Sequence, residues 1–266
     1  MIKNVYIGAD PELFLEKDGK IVSAEGIIGG TKEKPKSIDF EGHYIQEDNV
    51  MVEFNIPPCN KKEHFISSIN YVKDYLDVLV KLKGFNLNYS ASGELDPTQL
   101  TTDQSKVFGC DPDFNVYLKD INEPPKNVGN LRCCGGHIHV GYDNPDQDVS
   151  EKLIYAMDIT LGLDSILLDS DTKRRTMYGK AGSFRFKDYG IEYRTLSNFW
   201  IKNDKTIGWV YDRTLKAIDL VNTGKIDSLI ETYSKQVRDI IDYNDVNGSI
   251  ELLLKIENEV KIKEKK

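Results

Sequence analysis

Strand-type and helix-type patterns occupy different parts of this 266-residue chain, and this separation limits the folds open to it. Short apolar and β-branched runs dominate up to about residue 60, whereas apolar residues at helical spacing dominate after about residue 150. Because strands and helices do not alternate regularly, repeated βαβ units with a parallel sheet are disfavoured. We therefore predict an α+β fold with a mainly antiparallel sheet flanked by helices.

Several strand segments are predicted near the start of the chain. Val5 to Ile7 and Leu13 to Leu15 are apolar, and the Asp10-Pro11 pair between them is expected to break the strand. Met51 to Ile56 is predicted as a further strand, which ends at Pro57-Pro58. Short strands separated by turn residues are typical of antiparallel pairing.

Helix-start signals precede three of the apolar stripes. Asn60, with Glu63 three residues later, matches a capping box. Ser150 is expected to begin a second helix, and Asn203 or Asp204 a third. The rest of the chain is predicted to form one or two more helices, so helices should extend from about residue 203 to residue 266.

No linker rich in Pro, Gly or Ser divides the chain, so residues 1–266 are predicted to form a single domain. The formal net charge of −8 argues against general nucleic-acid binding, which needs a basic face. There is no long apolar run, and the first residues lack the apolar core of a signal peptide. The four cysteines contain no C-x-x-C pair, which disfavours a zinc site or a disulfide framework. We expect a cytoplasmic protein with no nucleic-acid or membrane partner.

Four clusters of polar residues are set in hydrophobic or glycine-rich sequence that should hold them rigidly. They are Gly8 to Glu12, Asp48 to Glu53, Gly135 to His139, and Arg174 to Arg194. Residues two apart on a strand point to the same side of a sheet. Asp10 and Glu12 would therefore share one face, as would His137 and His139.

Carboxylates and imidazoles that project from several strands onto one face could coordinate divalent cations. Magnesium prefers a few carboxylates together with water and substrate phosphate, so a complete protein cage is not expected. Each residue taken alone also has a structural explanation. Asp10 could be a turn residue, Glu53 could be half of an ion pair, and either histidine could be a hydrogen-bonded strand residue. It is their combination that indicates a metal site.

The fourth cluster is basic, with four arginines, two lysines and one glutamate between Arg174 and Arg194. Arginine binds phosphate through a planar and permanently charged group. On a strand, Glu192 and Arg194 would place a metal ligand beside a phosphate contact. A solvated basic loop is the alternative, but the aromatic residues among the arginines favour a packed site. Together the clusters predict magnesium–nucleotide chemistry assembled from separate strands.

Several common catalytic motifs are absent from the sequence. There is no G-x-x-x-x-G-K-S/T, no G-x-G-x-x-G, no H-E-x-x-H and no G-x-S-x-G. P-loop NTPases, protein kinases, Rossmann dehydrogenases, zincins and α/β-hydrolases are therefore disfavoured.

The four clusters, in this order, resemble those of a known enzyme family. GADPELF, EDNVMVEFNIPP, GGHIHVGY and RRTMYGKAGSFRFKDYGIEYRTLSNFW are similar to segments of the phage-type carboxylate–amine (COOH·NH2) ligases, and the likeness covers roughly residues 5 to 200. The catalytic domain of that family is similar to those of glutamate–cysteine ligase and glutamine synthetase. The resemblance implies a curved antiparallel sheet around a site for ATP and divalent ions, Mg²⁺ or Mn²⁺.

The resemblance also implies roles for individual residues. The implied metal ligands are Glu12, Glu53, His137 and Glu192. The implied nucleotide contacts are His137, Arg174, Arg175, Arg185 and Arg194, and of these Arg185 and Arg194 would stabilise the transferring charge. The acid that precedes Glu53 in the family falls near Asn49, with Glu47 and Asp48 as neighbours. Asp10 or Asp111 is the candidate for the acid that deprotonates the incoming amine.

The function implied by the resemblance is ATP-dependent amide formation. ATP would phosphorylate a carboxylate to an acyl phosphate, which an amine then attacks. The substrates would be small-molecule or peptide carboxylates and amines. The segment from Asp96 to Asn130, with Asp111, Asn115 and Tyr117, is the expected acceptor site. Two alternatives stay open: a guanidine phosphotransferase of the same fold, and a non-catalytic nucleotide- or metal-binding or virion-associated protein.

Overall fold

The computed structural model describes residues 1–39, 41–106, 113–123, 125 and 129–263. Within these residues the chain forms thirteen strands and seven α-helices. The strands are β1 (Tyr6–Lys17), β2 (Lys20–Val22), β3 (Lys36–Ser37), β4 (Tyr44–Asp48), β5 (Met51–Asn55), β6 (Asn86–Asn88), β7 (Ser92–Glu94), β8 (Phe114–Asn115), β9 (Asp120–Ile121), β10 (Leu131–Cys133), β11 (Gly136–Gly141), β12 (Ser183–Lys187) and β13 (Gly190–Tyr193). The helices are α1 (Lys62–Leu82), α2 (Asp103–Lys106), α3 (Gln147–Met157), α4 (Leu163–Leu168), α5 (Asp204–Asn222), α6 (Lys225–Tyr243) and α7 (Val246–Lys263), and a π-helical turn, Asp158–Gly162, joins α3 to α4.

Eleven of the described strands form one sheet, whose main path has the order β3-β4-β5-β1-β11-β13-β12-β8-β9. β2 and β6 pair with β1 off this path, while β7 and β10 form a separate two-stranded sheet. All the pairings in the described sheets are antiparallel. The predicted α+β fold with a large antiparallel sheet flanked by helices is confirmed.

β1 is the central strand of the sheet, because it pairs with β11, β5, β2 and β6 along different parts of its length. The predicted break at Asp10-Pro11 is wrong, since β1 runs without interruption from Tyr6 to Lys17. Pro11 lies where the pairing with β11 ends and the pairing with β5 begins. A proline costs little where a hydrogen-bonded ladder ends, which explains why the strand continues through it.

Helices α1 and α3 pack against one face of the sheet. α1 buries a stripe of Phe65, Ile69, Val72, Leu76 and Val80, which recur at helical spacing and face β1 and α5. α3 packs on β12 and β13. Apolar side chains from this face of the sheet and from the helices form one continuous buried core. The opposite face of the sheet is left for polar side chains.

The predicted helix starts have mixed outcomes. The capping box at Asn60 is wrong, because no side chain of the described residues caps α1. Ser150 lies inside α3, whose first turn is capped instead by the carboxylate of Asp146. Asn203 caps α5 as predicted, through its side-chain oxygen.

The described C-terminal region is helical, with α5, α6 and α7 following one another from Asp204 to Lys263. That residues 1–266 form one catalytic domain stays a prediction. No helix in the described part of the chain combines the length and the apolar character needed to cross a membrane.

Candidate active site

Polar side chains form a row across six neighbouring strands, from β4 to β12, on the face away from the large helices. The backbone pairs that align them are Gln46 with Glu53, Glu53 with Glu12, Asp10 with His137, His139 with Glu192, and Glu192 with Arg185. We call these eight residues the polar row. All of them line one cavity of about 580 Å³. The sheet therefore brings together side chains from the four predicted clusters.

The Gly135-Gly136 pair allows His137 to reach the row. A Cβ on Gly135 would lie 2.3 Å from Nε2 of His137, and a Cβ on Gly136 would lie 2.4 Å from Nε1 of Trp200. The indole N–H of Trp200 donates a hydrogen bond to the carbonyl of Gly136 over 3.1 Å. A side chain at either glycine would displace the imidazole or push the strand from the buried tryptophan. The Gly-Gly-His sequence is therefore a packing requirement of the site.

Glu12, Asp48 and Glu53 form the first group of possible metal ligands. One carboxylate oxygen from each lies within 4.8 Å of the other two. Burial, and then repulsion from Asp48, raise the pKa of Glu12 to about 7. Burial, followed by repulsion from the neighbouring acids, raises the pKa of Glu53 well above its ordinary value. Crowded acids whose pKa values are raised in this way mark a place where a bound cation would be stabilising.

Asp48 belongs to this group, although the family resemblance put the acid that precedes Glu53 near Asn49, one residue later. Asn49, at the expected position, lies in the turn between β4 and β5 with a φ of 56°. Glu47 supports the fold instead, because its carboxylate accepts hydrogen bonds from three backbone N–H groups in the loop at residues 26–29. The alternation of β4 distinguishes these neighbouring acids, since it puts Asp48 on the same sheet face as Gln46 and Glu47 on the other.

Asp10, His139 and Glu192 form a second group, whose ligand atoms also lie within 4.8 Å of one another. Nε2 of His139 lies 3.1 Å from Oδ1 of Asp10, at ion-pair distance. Burial alone would lower the pKa of His139, but Asp10 and Glu192 together outweigh burial and raise it. Two carboxylates and an imidazole whose ligand atoms lie this close together suit a shared cation.

The predicted role of Asp10 as the proton acceptor is not supported by its surroundings. Although burial disfavours the carboxylate, His139 and His137 hold the pKa of Asp10 well below its ordinary value. A carboxylate with a low pKa is a weak base, so the geometry favours Asp10 as a metal ligand. Asp111, the other predicted candidate, lies outside the described residues.

His137 lies beside the second group. Its Nδ1 is 3.4 Å from Oδ1 of Asp10 and 3.2 Å from Nη1 of Arg194. Burial, and then the charge of Arg194, lower the pKa of His137 and favour a neutral imidazole. His137 therefore lies beside Arg194, a possible phosphate contact. His139 is instead grouped with Asp10 and Glu192 at a possible metal position.

Three cationic side chains surround Glu192. Nζ of Lys187 lies 2.7 Å from Oε2 of Glu192, and Nη1 of Arg185 lies 3.5 Å from Oε1. Nη1 of Arg194 donates a hydrogen bond to Oε1. Although burial and Asp10 disfavour its charge, Arg194 and the two histidines lower the pKa of Glu192 to about 2. Glu192 is therefore ionised, and it joins the acidic and basic sides of the cavity.

Two residues at this basic side were missed from the sequence. Lys187 lies two residues after Arg185 on β12, so strand alternation is the signal that would have found it. Oδ1 of Asp113 lies 2.6 Å from Nε of Arg194 and 3.6 Å from Nη2 of Arg185. No local pattern marks Asp113, because the long-range pairing of β8 with β12 is what brings it to the arginines.

Arg174 and Arg175 are not among the described residues that line the cavity. Both are buried. Arg174 donates to the backbone carbonyls of Thr195 and Arg194, and Arg175 donates to the hydroxyl of Ser165. Arg174 thus stabilises the chain at the end of β13 and Arg175 is bonded to α4, so the structure does not support their predicted role as phosphate contacts.

A second cavity, of about 570 Å³, adjoins the first and shares Arg194 with it. Asp113 and Asn115 contribute to its lining, so part of the predicted acceptor segment does border a cavity. Tyr117 does not line it, because its ring packs edge-on against Tyr155 with the centroids 4.8 Å apart.

The site therefore combines two acidic groups suited to cations with a basic cluster suited to phosphate. Residues 130–223 match the model of a family described as "Phage phiEco32-like COOH.NH2 ligase-type 2". The family resemblance is confirmed. The segment that matches these carboxylate–amine ligases contains His137, His139, Arg185, Glu192 and Arg194, and so includes β11, β12 and β13.

One solved structure similar to this chain is a bifunctional glutathione synthetase from Pasteurella multocida. The two sequences are 12% identical, the match covers 96% of this chain and 49% of that chain, and the TM-score is 0.41. This chain thus spans about half the length of that enzyme. No curated protein matches the chain.

Proposed function

We propose that the protein is an ATP-dependent carboxylate–amine ligase that forms an amide through an acyl phosphate. The observation that carries the proposal is the meeting of two acidic groups with a basic cluster, formed by Arg185, Lys187 and Arg194 around Glu192. The family match over residues 130–223 supports it, because that segment supplies the basic cluster. We extend the proposal to a sheet curved around the site, as in the catalytic domain of glutamine synthetase, and to one catalytic domain over residues 1–266.

The residues of the polar row fit the proposed metal. Crowded carboxylates, and the close grouping of Asp10, His139 and Glu192, are the features expected of an oxygen-rich cation site. Mg²⁺ or Mn²⁺, held by Glu12, Asp48 and Glu53 and by Asp10, His139 and Glu192, would neutralise phosphate charge during the reaction.

The basic cluster would position the triphosphate and stabilise the transferring phosphoryl group. A substrate carboxylate oxygen bonds to the γ-phosphorus as the bond to the ADP oxygen breaks. The amine nitrogen then bonds to the acyl carbon, inorganic phosphate leaves, and the nitrogen loses a proton. Arg185 and Arg194 are suited to both steps, because Glu192 and Asp113 hold their guanidinium groups in place before the substrate arrives.

The second cavity is the proposed site of the second reactant. It shares Arg194 with the cavity of the polar row, so groups bound in the two cavities would meet beside that guanidinium. Asp113 and Asn115 line this cavity, so the predicted acceptor segment is part of the proposal. Tyr117 does not line the cavity and is not included.

Calorimetric titration of ATP, with and without Mg²⁺ or Mn²⁺, is the first test. We expect metal-dependent binding that is lost in Glu12→Gln and in Glu192→Gln, because each change removes a charged ligand from one acidic group. Glu94→Gln is the matched control, since Glu94 is an exposed glutamate of β7. The wild-type protein would then be screened for ADP release and amide formation with a panel of carboxylates and amines.

Three results would contradict the proposal. ADP release with a phosphorylated guanidine and no amide would indicate the phosphotransferase. Nucleotide binding without turnover on any carboxylate and amine, or no nucleotide binding under any condition, would indicate a non-catalytic protein.

A further inference from the structure

A third cavity lies at the end of the sheet where β1 begins. Its volume is about 630 Å³. We call it the tyrosine slot, and the lining residues that matter here are Tyr6, Gly8, His139, Gly141 and Tyr189. His139 also lines the cavity of the polar row, as do Asn55, Ile56 and Pro58, so the two spaces adjoin.

Two glycines form the floor of the slot. Gly8 pairs with His139 and Gly141 pairs with Tyr6, and strand alternation places Gly8 on the same sheet face as Asp10. A Cβ would lie 3.7 Å from its nearest neighbour at Gly8 and 3.6 Å at Gly141, which are ordinary contact distances. Neither glycine has a positive φ. The fold therefore does not require glycine at these positions, and their effect is to leave open space above the strands.

Tyrosine rings stand at the sides of this floor. Tyr6 is 45% exposed and Tyr189 is 46% exposed. The Tyr189 hydroxyl lies 2.5 Å from Nδ1 of His139, which holds the ring next to the polar row. Exposed aromatic rings beside an open floor suit a planar ring, because stacking on tyrosine depends on shape more than on specific hydrogen bonds.

The tyrosine slot carries little charge, in contrast to the cavity it adjoins. Apart from its tyrosines, its ionisable residues among the described lining are Asp143 and His139. The Asp143 carboxylate already accepts a hydrogen bond from the side-chain amide of Asn4 over 2.6 Å. A molecule that fills both spaces needs a neutral planar part joined to a strongly charged part, and a nucleoside triphosphate has this composition.

We infer that the tyrosine slot binds the nucleobase of ATP, with the phosphates passing His139 toward Asp10 and Glu192. The inference rests on the proposed function and adds to it the position and direction of the nucleotide. From Tyr6 to Asp10 the strand advances about 13 Å. This length allows a base over Gly8 and Gly141 while the phosphates reach the basic cluster.

Comparing two ligands separates the slot from the phosphate site. ATP and inorganic tripolyphosphate, each with Mg²⁺, are titrated calorimetrically into the wild type and into Gly8→Val and Tyr6→Ala. Valine is a good strand residue and would cover the floor, so ATP affinity should fall roughly tenfold or more, and loss of the Tyr6 ring should lower it roughly tenfold. Tripolyphosphate affinity should change less than about twofold in both variants, because it lacks a base.

Tyr71→Ala is the matched control, because it removes a tyrosine of the same 45% exposure from α1. Equal ATP affinities in the wild type and both slot variants would overturn the slot while leaving the proposed function intact. A parallel loss of ATP and tripolyphosphate affinity would also overturn it, since that result places the damage at the phosphate site. If neither ligand binds the wild-type protein, the proposed function and the slot both fail.

Discussion

Neighbouring residues of β13 meet opposite surroundings on the two faces of the sheet. Glu192 faces the cavity among ionised side chains, whereas Ile191 and Tyr193 are buried in the core beneath the helices. β11 repeats the contrast, with imidazoles on one face and the fully buried Ile138 on the other. One strand therefore serves two kinds of environment through alternation alone.

The contrast separates the sources of stability from the sources of binding. The helix face is stabilised by apolar packing, which needs no ligand. The opposite face instead holds Glu12, Asp48 and Glu53 close together, and their mutual repulsion opposes folding. We expect substitutions on the helix face to change the free energy of unfolding and substitutions in the polar row to change binding and turnover.

The largest effect is expected from Glu192→Gln. The proposed amide-forming activity should fall roughly a thousandfold or more, because Arg185, Lys187 and Arg194 lose their common carboxylate and a metal ligand is removed. The measurement is ATP-dependent amide formation, with the far-ultraviolet circular dichroism spectrum as the check on folding and Glu94→Gln as control. Wild-type activity in a folded variant would remove Glu192 from the site.

The next prediction concerns Asp158, a buried acid in the π-helical turn on the otherwise apolar helix side of the sheet. Its Oδ1 accepts a hydrogen bond from the Tyr193 hydroxyl over 2.6 Å. Burial raises the pKa of Asp158 from an ordinary 3.8 to about 7, so the folded state binds the proton more tightly than the unfolded chain. This stabilising contribution is full below about pH 4 and is lost as the pH rises through about 7, a change of about 4 kcal/mol.

Asp158→Asn should remove that part of the pH dependence. Urea unfolding of the wild type and the variant at pH 5 and pH 8 measures it, with Asp77→Asn, at a partly exposed position, as control. We expect the free energy of unfolding to decline less with rising pH in Asp158→Asn than in the wild type or in Asp77→Asn. Parallel declines in all three proteins would show that Asp158 does not titrate in this range.

The sharpest comparison of the two faces comes from Ile191→Ala, one residue from Glu192. Loss of this fully buried side chain should lower the free energy of unfolding by about 3 kcal/mol. Below the melting temperature, kcat/KM should stay within about threefold of the wild type, because Ile191 faces away from the cavity. A stable but inactive variant would mean that the two faces are not independent.

The smallest effect has the opposite sign. Glu53→Gln should raise the free energy of unfolding in EDTA by about 1 kcal/mol, because it removes one of three crowded acids. Added Mg²⁺ should raise the melting temperature of the wild type more than that of the variant. An equal response to Mg²⁺ in both proteins would show that Glu53 is not a ligand.

Local patterns account for the parts of the molecule that the sequence predicted well. Strand alternation and helical spacing indicated an antiparallel sheet with helices, and alternation placed Asp10 and Glu12, and the two histidines, on one face. Local preference failed at Asp10-Pro11, where pairing with two different neighbours carries β1 through the proline.

The remaining site residues depend on long-range topology. Arg174 and Arg185 belong to one basic segment, yet Arg174 bonds to interior backbone carbonyls while Arg185 lines the cavity. Nothing in residue type or spacing separates them. Asp113 reaches the arginines only through the β8–β12 pairing, which no local pattern specifies.

The central position of β1 has a consequence for how the protein is made. The ladder from Tyr6–Gly141 to Pro11–Gly136 joins the beginning of the chain to its middle, and β13 extends that sheet from later still. Asp10 and Glu12 are therefore synthesised well before His139 and Glu192 exist to meet them. Pairing across such distances closes slowly because of its entropic cost. Asp10, His139 and Glu192 can accordingly come together only after β13 has been made, whereas Glu12, Asp48 and Glu53 all belong to the first 53 residues.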